Sequence, residues 1–458
     1  MSTTVTTDDL RARLDGDVVL PDDPSFDDVR ANYNAMIDKR PAVIARCGSA
    51  GDVVAALEFA QKSNLVVAVH GGGHSAPGLG TVDDGLVIDL SPMNHVDVNA
   101  DGRTVRVQGG ATWGLVDAAT HAHGLATPSG VISSTGVGGL TLGGGHGYLA
   151  RKYGLTIDNL LEAEVVLADG RVVTASESEH PDLFWALRGG GGNFGIVTSF
   201  TFRLHPVRNV ICGPTAWPVS ATADVLGWFR DFLPAQDEDL YGFFAVMTVP
   251  PAEPFPESFH MHKACAIVWC YTGDPARADE AFAPVRQMQP AWEHIGEAPY
   301  PALQTMFDAL YPKGLQWYWR GDFFRTIPDG AVAEHARFAE ELPTMHSTMH
   351  MYPIDGAVHR VGQTDTAWAY RDVNFSQVIV GVDPDPANAE ALKRWTVDYW
   401  DATHPYSAGG AYVNFMMDEG QDRVRATYGP NYQRLTEVKA TYDPSNMFRI
   451  NQNIHPAA

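Results

Sequence analysis

Residues 128–147 read PSGVISSTGVGGLTLGGGHG, and eight of these twenty residues are glycine. Two shorter glycine-rich segments flank this one, VHGGGHSAPG at 69–78 and RGGGGNFG at 188–195. Glycine in a regular element costs about 0.5–1 kcal/mol, but it lets the backbone adopt positive φ or approach a ligand closely. Successive exposed N–H groups on such backbone bind anions. Three of these segments before residue 200 predict a chain wrapped around a large diphosphate cofactor.

The third segment formally matches the dinucleotide-binding pattern GxGxxG, through Gly190, Gly192 and Gly195. That pattern normally follows a strand and opens a helix. Here a helix-like DLFWALR precedes the glycines and a strand-like IVTSFTF follows them, which disfavours a Rossmann site. The sequence contains no GxxxxGK[ST], HExxH or GxSxG motif, so the corresponding NTPase, zinc-protease and hydrolase classes lose their main support.

The overall composition narrows the class of protein. The chain has 458 residues, of which 45% are hydrophobic, and a formal net charge of −23. Such a composition suits folded domains, and the charge repels nucleic acid and anionic membranes. Four cysteines without a CxxC pair indicate no disulfide framework, and the amino terminus, MSTTVTTDDLRARLDGD, lacks a secretory pattern. These features predict a cytoplasmic protein without nucleic-acid or membrane partners.

The amino-acid composition of the chain changes near residue 205. Residues before it alternate strand-like runs with helix-like ones, such as the helical pattern from Ser49, its N-cap, to Lys62. After residue 205, glycine becomes less frequent and aromatic residues become more frequent. Strand-like runs again alternate with helix-like ones. The helix-like runs cover 276–289, 330–341 and 386–400. The pattern predicts two domains, one formed by 1–205 plus 406–458, and a second α/β unit over 206–405 in which helices cover a sheet.

Four segments resemble one known family closely. They are HGGGHS at 70–75, GVGGLTLGGGHGYLARKYGLTIDN at 136–159, DLFWALRGGGGNFGIVT at 182–198 and YDPSNMFRINQNI at 442–454. Their text and order resemble the FAD-linked oxidases of the vanillyl-alcohol oxidase superfamily, in particular the berberine bridge enzyme-like branch. The resemblance implies an α+β, two-domain FAD-binding fold of the PCMH type, with a separate substrate domain of antiparallel sheet covered by helices. FAD would lie extended between the two domains.

The resemblance also implies roles for individual residues. In the family, the histidine that ends the first glycine loop bonds covalently to the flavin 8α-methyl carbon, and that position is His74. Tyr412 and Asn414 fall on the catalytic face, where Tyr412 is the first candidate for general base. The implied cofactor contacts are Gly71, Gly72, Gly73, Ser75, Thr135, Gly136, Gly139, Gly144, Gly147, Tyr148, Ile196, Val197 and Asn451.

Three positions depart from the family pattern. Many members attach the flavin a second time through a cysteine in a GVC segment, but here the third residue is Ile132. This departure predicts a single covalent link, through His74. Relatives often carry Val or Leu where this chain has Thr135, associated with oxygen access or its blockage, so the electron acceptor stays open. His70 stands where an Arg is common, which weakens the case for a charged phosphate contact there.

The middle of the chain supplies the candidate substrate contacts. Tyr318, Arg320, Tyr352 and Tyr370 are predicted to bind substrate, since aromatic side chains suit a flat or cyclic molecule and Arg320 suits an anionic group. His146 is interpreted as a loop-packing residue. Two histidine pairs have spacings that metal sites use, but no carboxylate motif accompanies either, so no metal is predicted. These pairs are His260 with His262 and His346 with His350.

The implied function is oxidation of an alcohol, sugar or amine. Hydride would pass from a substrate carbon to covalently bound FAD, and oxygen would take the electrons and give H2O2. One alternative is a dehydrogenase with another acceptor, namely a quinone, a deazaflavin such as F420, or a protein. A second alternative is a flavin-binding module that is not an enzyme. The aromatic residues of the middle segment, together with Tyr412 and Asn414, argue against it, because such a module needs no substrate site. The sequence makes no prediction of oligomeric state.

Overall fold

The structure is a computed structural model that describes residues 6–458. A four-stranded sheet with the spatial order β1-β2-β4-β3 comes first. Strands β2, β4 and β3 are parallel and β1 is antiparallel to β2, so the predicted βα alternation is realised here. The strands are β1 (Asp17–Val19), β2 (Val43–Arg46), β3 (Val67–His70) and β4 (Leu86–Asp89).

A five-stranded antiparallel sheet follows, with the order β5-β6-β10-β8-β9. Its β8–β9 hairpin turns at 168–171, as predicted, because Gly170 adopts a φ of 83° there. Two short strands, β7 and β11, pair separately beside it. The strands are β5 (Val96–Asn99), β6 (Thr104–Gln108), β7 (Leu125–Ala126), β8 (Leu160–Val166), β9 (Val172–Ser176), β10 (Ile196–Arg203) and β11 (His205–Pro206).

An eight-stranded antiparallel sheet forms the middle of the chain. Seven strands follow the order β15-β12-β14-β13-β18-β19-β17, and β16 pairs with β12. The strands are β12 (Asn209–Pro218), β13 (Leu240–Thr248), β14 (Lys263–Tyr271), β15 (Trp292–Glu293), β16 (Gly296–Pro299), β17 (Gln316–Phe324), β18 (Thr348–Pro353) and β19 (Phe375–Asp383). The α+β fold class with an antiparallel middle sheet is therefore confirmed.

The helices agree with the sequence patterns to within a few residues. Ser49 caps α3 as predicted, since its hydroxyl accepts a hydrogen bond from the Asp52 N–H. The helices are α1 (Thr7–Arg11), α2 (Phe26–Arg30), α3 (Ala50–Ser63), α4 (Trp113–His121), α5 (Val137–Gly143), α6 (Ala150–Tyr153), α7 (Pro181–Leu187), α8 (Thr222–Phe232), α9 (Ala278–Gln287), α10 (Tyr300–Gln304), α11 (Asp329–Glu340), α12 (Ala389–Thr403), α13 (Gln421–Tyr428) and α14 (Tyr432–Tyr442). Within residues 6–458 none of them combines the length and apolarity that crossing a membrane requires.

Packing ties the carboxyl-terminal segment to the first half of the chain. Val424 and Leu435 share one hydrophobic core with Val165 and Phe200 of the five-stranded sheet. Helices α8, α11 and α12 bury one face of the eight-stranded sheet in a second core, which includes Phe244. This arrangement accords with the predicted grouping of 1–205 with 406–458, although the domain boundaries themselves stay a prediction.

His335 packs against Phe324 and Tyr399 of that second core, and its burial predicts that the stability of the protein depends on acid. Its side chain is fully buried, its Nδ1 lies 2.8 Å from the Tyr399 hydroxyl, and burial lowers its pKa from 6.5 to about 3. Between pH 6.5 and about 3, His335 therefore binds a proton in the unfolded chain but not in the folded protein. We expect the free energy of unfolding to fall by about 1.4 kcal/mol per pH unit for this histidine between pH 6.5 and about 3.

Urea unfolding across this pH range checks the expectation. His335→Phe should reduce the acid slope by about one proton's worth, whatever it does to stability at pH 7. The exposed His123 provides a control for the loss of a histidine as such, through the same substitution, His123→Phe. An unaltered slope in His335→Phe would contradict the assignment.

Candidate functional site

A cavity of about 420 Å³ lies where the three glycine-rich segments meet the eight-stranded sheet and the carboxyl-terminal tail. The first segment contributes Gly71 to Ser75, the second contributes residues between Gly130 and His146, and the third contributes Gly191 to Gly195. The tail adds Tyr412 to Met416, Phe448, and Ile450 to Gln452. Segments far apart in sequence therefore share one site, as their common glycine content predicts.

The first glycine loop presents a run of free backbone donors. β3 ends at His70, and Gly73 then adopts a φ of 70°, which turns the chain along the cavity. Within residues 6–458 the backbone N–H groups of 71–75 donate to no backbone acceptor of the protein. Such a run of unpaired N–H groups suits a diphosphate.

The first and second loops touch backbone to backbone. A Cβ on Gly72 would lie 2.4 Å from the Gly136 nitrogen, and a Cβ on Gly136 would lie 2.4 Å from the Gly72 nitrogen. Since both neighbours are backbone, neither can move aside as a side chain would. Glycine at these two positions is therefore required for the loops to close against each other.

His74 is held in a neutral form at the edge of the cavity. Its ring stacks on Tyr33 with centroids 4.0 Å apart, and its Nε2 lies 3.0 Å from the Ser134 hydroxyl. Burial lowers the pKa of His74 to about 4. A neutral imidazole keeps one nitrogen lone pair available for bonding.

A smaller cavity of about 250 Å³ adjoins the first at His74. It shares Tyr33, Gly72 and Tyr311 with the main cavity, and it is lined in addition by the charged residues Asp308 and Lys313. Asp308 accepts hydrogen bonds from the backbone and hydroxyl of a serine in the second glycine segment. The charged residues near His74 thus belong to this outer cavity.

Tyr412 and Asn414 form a hydrogen-bonded pair beside the second glycine loop. The phenol oxygen of Tyr412 accepts hydrogen bonds from Asn414 Nδ2 at 2.7 Å and from the Gly145 N–H at 3.1 Å. Gly143 lets Asn414 approach, because a Cβ there would lie 2.5 Å from the Asn414 amide. Burial raises the pKa of Tyr412 above 10, and the two donated hydrogen bonds oppose that effect.

The eight-stranded sheet turns alternate side chains toward the cavity. On β17 these are Trp317 and Trp319, which line the cavity, whereas Tyr318 and Arg320 point to the opposite side. We call the cavity-facing set the inner face. It comprises Phe243, Ala245, Met247, Val268, Trp317, Trp319, Thr348, His350, Tyr352, Val378 and Val380.

This alternation corrects the predicted substrate contacts on β17. Arg320 forms an ion pair with Glu419 at 2.8 Å and donates to the Tyr318 hydroxyl at 3.3 Å, away from the cavity lining. Tyr318 packs with Met417 instead. Tyr370 also lies outside the lining, since its hydroxyl donates to the Ala426 carbonyl. Of the four predicted substrate residues the structure brings Tyr352 alone into the cavity lining described for 6–458.

Most of the implied cofactor positions line the cavity, but three do not. Gly144 packs on Trp368, whose ring would lie 2.3 Å from a Cβ at that position. Gly147 packs on the backbone carbonyl of Ser129, and Tyr148 is buried against Phe243. The residues that do line it are Gly71, Gly72, Gly73, His74, Ser75, Thr135, Gly136, Gly139, Ile196, Val197 and Asn451.

Two histidines that sequence reasoning did not place in the site line the cavity. The His146 ring lies between Tyr412 and Tyr352, with centroid distances of 4.7 and 5.2 Å. Its two buried ring nitrogens have no partner within 6–458, and burial lowers its pKa to about 3. His350 lies 2.6 Å from the Tyr352 hydroxyl through Nδ1, and burial lowers its pKa to about 4. The period of two from Tyr352 would have pointed to His350.

The cavity lining carries no formal charge. Among residues 6–458, none of those that line it is Asp, Glu, Lys or Arg, and the pKa values leave His74, His146 and His350 neutral at pH 7. No group of three or more potential metal ligands occurs in the same described range. The arrangement can therefore hold a cofactor through backbone donors and can work on a substrate with neutral groups.

These features fit FAD. The loop 71–75 offers free N–H donors for a diphosphate, His74 has a free imidazole nitrogen, and the Asn451 Oδ1 is buried on the lining without a partner in the described chain. Because Gly139 has no atom within 4 Å of a Cβ position, the open space of the cavity begins there. Residues on the inner face would lie across from the flavin.

Comparison with known proteins supports the interpretation of this cavity as an FAD site. A family model described as an FAD binding domain matches residues 41–176, and one described as berberine and berberine like matches 411–455. The chain is 31% identical over 454 residues to the uncharacterized FAD-linked oxidoreductase YgaK of Bacillus subtilis (strain 168). That match covers 97% of this chain and 98% of the relative.

Solved structures share the whole fold. The crystal structure of 6-hydroxy-D-nicotine oxidase from Arthrobacter nicotinovorans matches with a TM-score of 0.87 at 27% identity, over 97% of this chain and 98% of that one. A chitooligosaccharide oxidase matches with a TM-score of 0.83 at 25% identity, over 98% and 99%. The fold and site thus define an FAD-linked oxidoreductase. The chain belongs to the berberine bridge enzyme-like branch of the vanillyl-alcohol oxidase superfamily, as the sequence motifs predicted.

Proposed function

We propose that this enzyme oxidises an alcohol or amine carbon of a small molecule with FAD bound covalently through His74, and that oxygen is its electron acceptor. The observation that carries the proposal is the convergence of His74, the Tyr412–Asn414 pair and an aromatic inner face on one cavity. FAD, when bound, accepts hydride from the substrate carbon and transfers the electrons to the acceptor.

The surroundings of His74 support its role as the attachment site. The Ser134 hydroxyl, 3.0 Å from Nε2, fixes the orientation of the ring, and the neutral imidazole keeps a lone pair on one of its two nitrogens for the bond to the flavin. Ile132 lines the cavity where the second link would form, and the four cysteines are buried outside the lining. Both observations support one covalent link rather than two.

The Tyr412–Asn414 pair supports the proton transfer that must accompany hydride loss. Burial keeps the Tyr412 phenol protonated at pH 7, so it takes the substrate proton only while it passes its own proton on, and the neutral His146 imidazole in ring contact with it is an available acceptor. Two hydrogen bonds donated to the Tyr412 oxygen stabilise the negative charge that develops there. Positioned acid–base groups of this kind contribute roughly 10²- to 10⁴-fold to rate. His146, whose ring contacts Tyr412, is neutral and adds no competing charge.

Oxygen as the acceptor is tested by reoxidation. We expect the enzyme, reduced without air and then mixed with aerated buffer, to regain its oxidised spectrum within seconds and to release H2O2 equal to the flavin present. Thr135 lines the cavity at the position that relatives associate with oxygen access, so Thr135→Leu should slow reoxidation while the rate of reduction stays the same.

One result would overturn oxygen as the acceptor, and another would overturn the role of Thr135. Reoxidation that takes many minutes would favour a dehydrogenase, and addition of a quinone, a deazaflavin or a protein acceptor would then restore turnover. Equal rates in air for the native enzyme and Thr135→Leu would remove Thr135 from the oxygen path.

A further inference from the structure

We propose that the substrate half of this cavity accepts a flat, uncharged molecule that donates one O–H or N–H group to Tyr352, and that it rejects ions and oligosaccharides. The inference rests on the proposed function and adds the class of substrate to it. Its basis is an apolar aromatic inner face with few polar groups, among which Tyr352 and His350 form a neutral hydrogen-bonded pair.

The walls of the substrate half are apolar and flat. Trp317 and Trp319 stand on the edge strand β17, and Phe243 and Phe307 pack on each other with centroids 6.3 Å apart. Phe415 from the tail contacts Tyr352 on the side of the second glycine loop. Aromatic surfaces of this kind favour stacked or edge-on contact with a planar ligand.

No acidic side chain, lysine or arginine of residues 6–458 lines this cavity, and the lining therefore favours uncharged ligands over ions. Within 6–458 no Lys or Arg lines the cavity to neutralise a carboxylate, and no Asp or Glu lines it to neutralise an ammonium group. A buried ion without a partner is strongly disfavoured relative to the same ion in water. Asp308 and Lys313 line the adjoining cavity at His74 rather than the inner face.

Tyr352 provides the polar contact for the substrate. Its hydroxyl lies 2.6 Å from His350 Nδ1, and a neutral imidazole that accepts this proton leaves the Tyr352 oxygen free to accept a hydrogen bond from a ligand. His350 is flanked on the sheet by Ala245 and Val378, its cross-strand partners. Phe243 packs against both rings of the pair, with centroid distances of 5.1 Å to His350 and 5.0 Å to Tyr352, and all three side chains line the cavity.

An oligosaccharide would meet too few partners on this surface. Every sugar hydroxyl that is buried needs a hydrogen-bond partner, and an unpaired one opposes binding. The inner face offers the Tyr352–His350 pair, Thr348 and the two indole N–H groups, among hydrocarbon side chains. Recognition by stacking and one directed hydrogen bond therefore fits the site better than recognition of many hydroxyls.

Two matched aromatic probes without an oxidisable alcohol or amine carbon, together with cellobiose as an oligosaccharide, test the inference by perturbation of the flavin absorbance of the holoenzyme. 4-Hydroxybenzamide and 4-hydroxybenzoate have the same ring and phenol but differ in charge at pH 7. We expect the benzoate and cellobiose to bind at least about 100-fold more weakly than the benzamide, since an unpaired buried ion or hydroxyl set is penalised. 4-Hydroxybenzoate or cellobiose bound within threefold of the benzamide would overturn the inference, as would no spectral change with the benzamide.

A pair of tyrosine variants on opposite faces of one sheet tests the hydrogen bond. Tyr352→Phe should weaken binding of 4-hydroxyacetophenone by about tenfold, as for loss of one hydrogen bond, without affecting 4-methoxyacetophenone, which has no O–H or N–H donor. Tyr318→Phe, on the side turned away from the cavity, should change neither. Equal weakening of both acetophenones in Tyr352→Phe would overturn the role of its hydroxyl.

Failure of this inference differs from failure of the proposed function. Binding of the probes is read in the oxidised enzyme and needs neither turnover nor oxygen. An enzyme that binds the neutral benzamide selectively but that no alcohol or amine reduces would contradict the proposed reaction and leave the class of ligand supported. An enzyme that cellobiose reduces would contradict the class of substrate and support the reaction.

Discussion

His74→Ala should convert a protein whose yellow chromophore survives denaturation into one that releases all of it. The loop 71–75 would still offer its backbone N–H groups, so we expect FAD to bind reversibly. In the proposed attachment only the covalent bond depends on the imidazole. Acid precipitation followed by the absorbance of the supernatant measures the released flavin. Native protein should leave a coloured pellet, and the variant a colourless one.

His70→Ala provides the control for this result. His70 precedes the same loop by one residue and its ring packs near Gly73, but it is not the predicted attachment site. This variant should keep its flavin in the pellet. Flavin retained covalently in His74→Ala, or lost from both variants, would contradict the assignment of His74.

Tyr412→Phe should slow reduction of the flavin by about 10²- to 10⁴-fold, because the phenol oxygen is the proposed proton acceptor. The substitution removes a single oxygen, which accepts hydrogen bonds from Asn414 and Gly145. Anaerobic rapid mixing with a reducing substrate measures this step apart from reoxidation. Substrate affinity should change much less than the rate, because the loss lies in the reacting state.

Tyr370→Phe is the matched control, since Tyr370 also donates a buried hydrogen bond but lies outside the cavity lining. Its reduction rate should stay within about threefold of native, a shift worth less than 1 kcal/mol in barrier. If Tyr412→Phe reduced the flavin as fast as Tyr370→Phe does, another residue would have to accept the proton.

The glycine segments predicted much of the site because clusters of glycine can be seen in short windows of the sequence. The fold class followed similarly, since strand and helix periods are properties of short windows. The reason for each individual glycine is a tertiary contact, and the sequence does not show it. Gly72 and Gly136 are needed where two loops touch, whereas Gly144 packs on Trp368, and in the sequence both look the same as a cofactor contact.

The residues of β17 that face the cavity could not be predicted, because this depends on whether the odd-numbered or the even-numbered side chains of the strand point inward. The run QWYWRGDFF of β17 has large side chains on both faces, so hydrophobic alternation does not show which face is inside. The pairing of Trp319 with Val380 on β19 determines which face of β17 lines the cavity. The helix α11 and the strand β18 lie between these two strands in the sequence, so the pairing cannot be inferred from local patterns. Arg320 is held outward by Glu419, a partner about a hundred residues away.

The central claim is a flavin bound once, through His74, beside a neutral cavity. Proteolysis of the native protein, followed by separation of the fluorescent peptides and mass spectrometry, tests it most directly. The account predicts one flavin-bearing peptide, with the modification on His74. Flavin on any cysteine-containing peptide, or release of all flavin on denaturation, would contradict it.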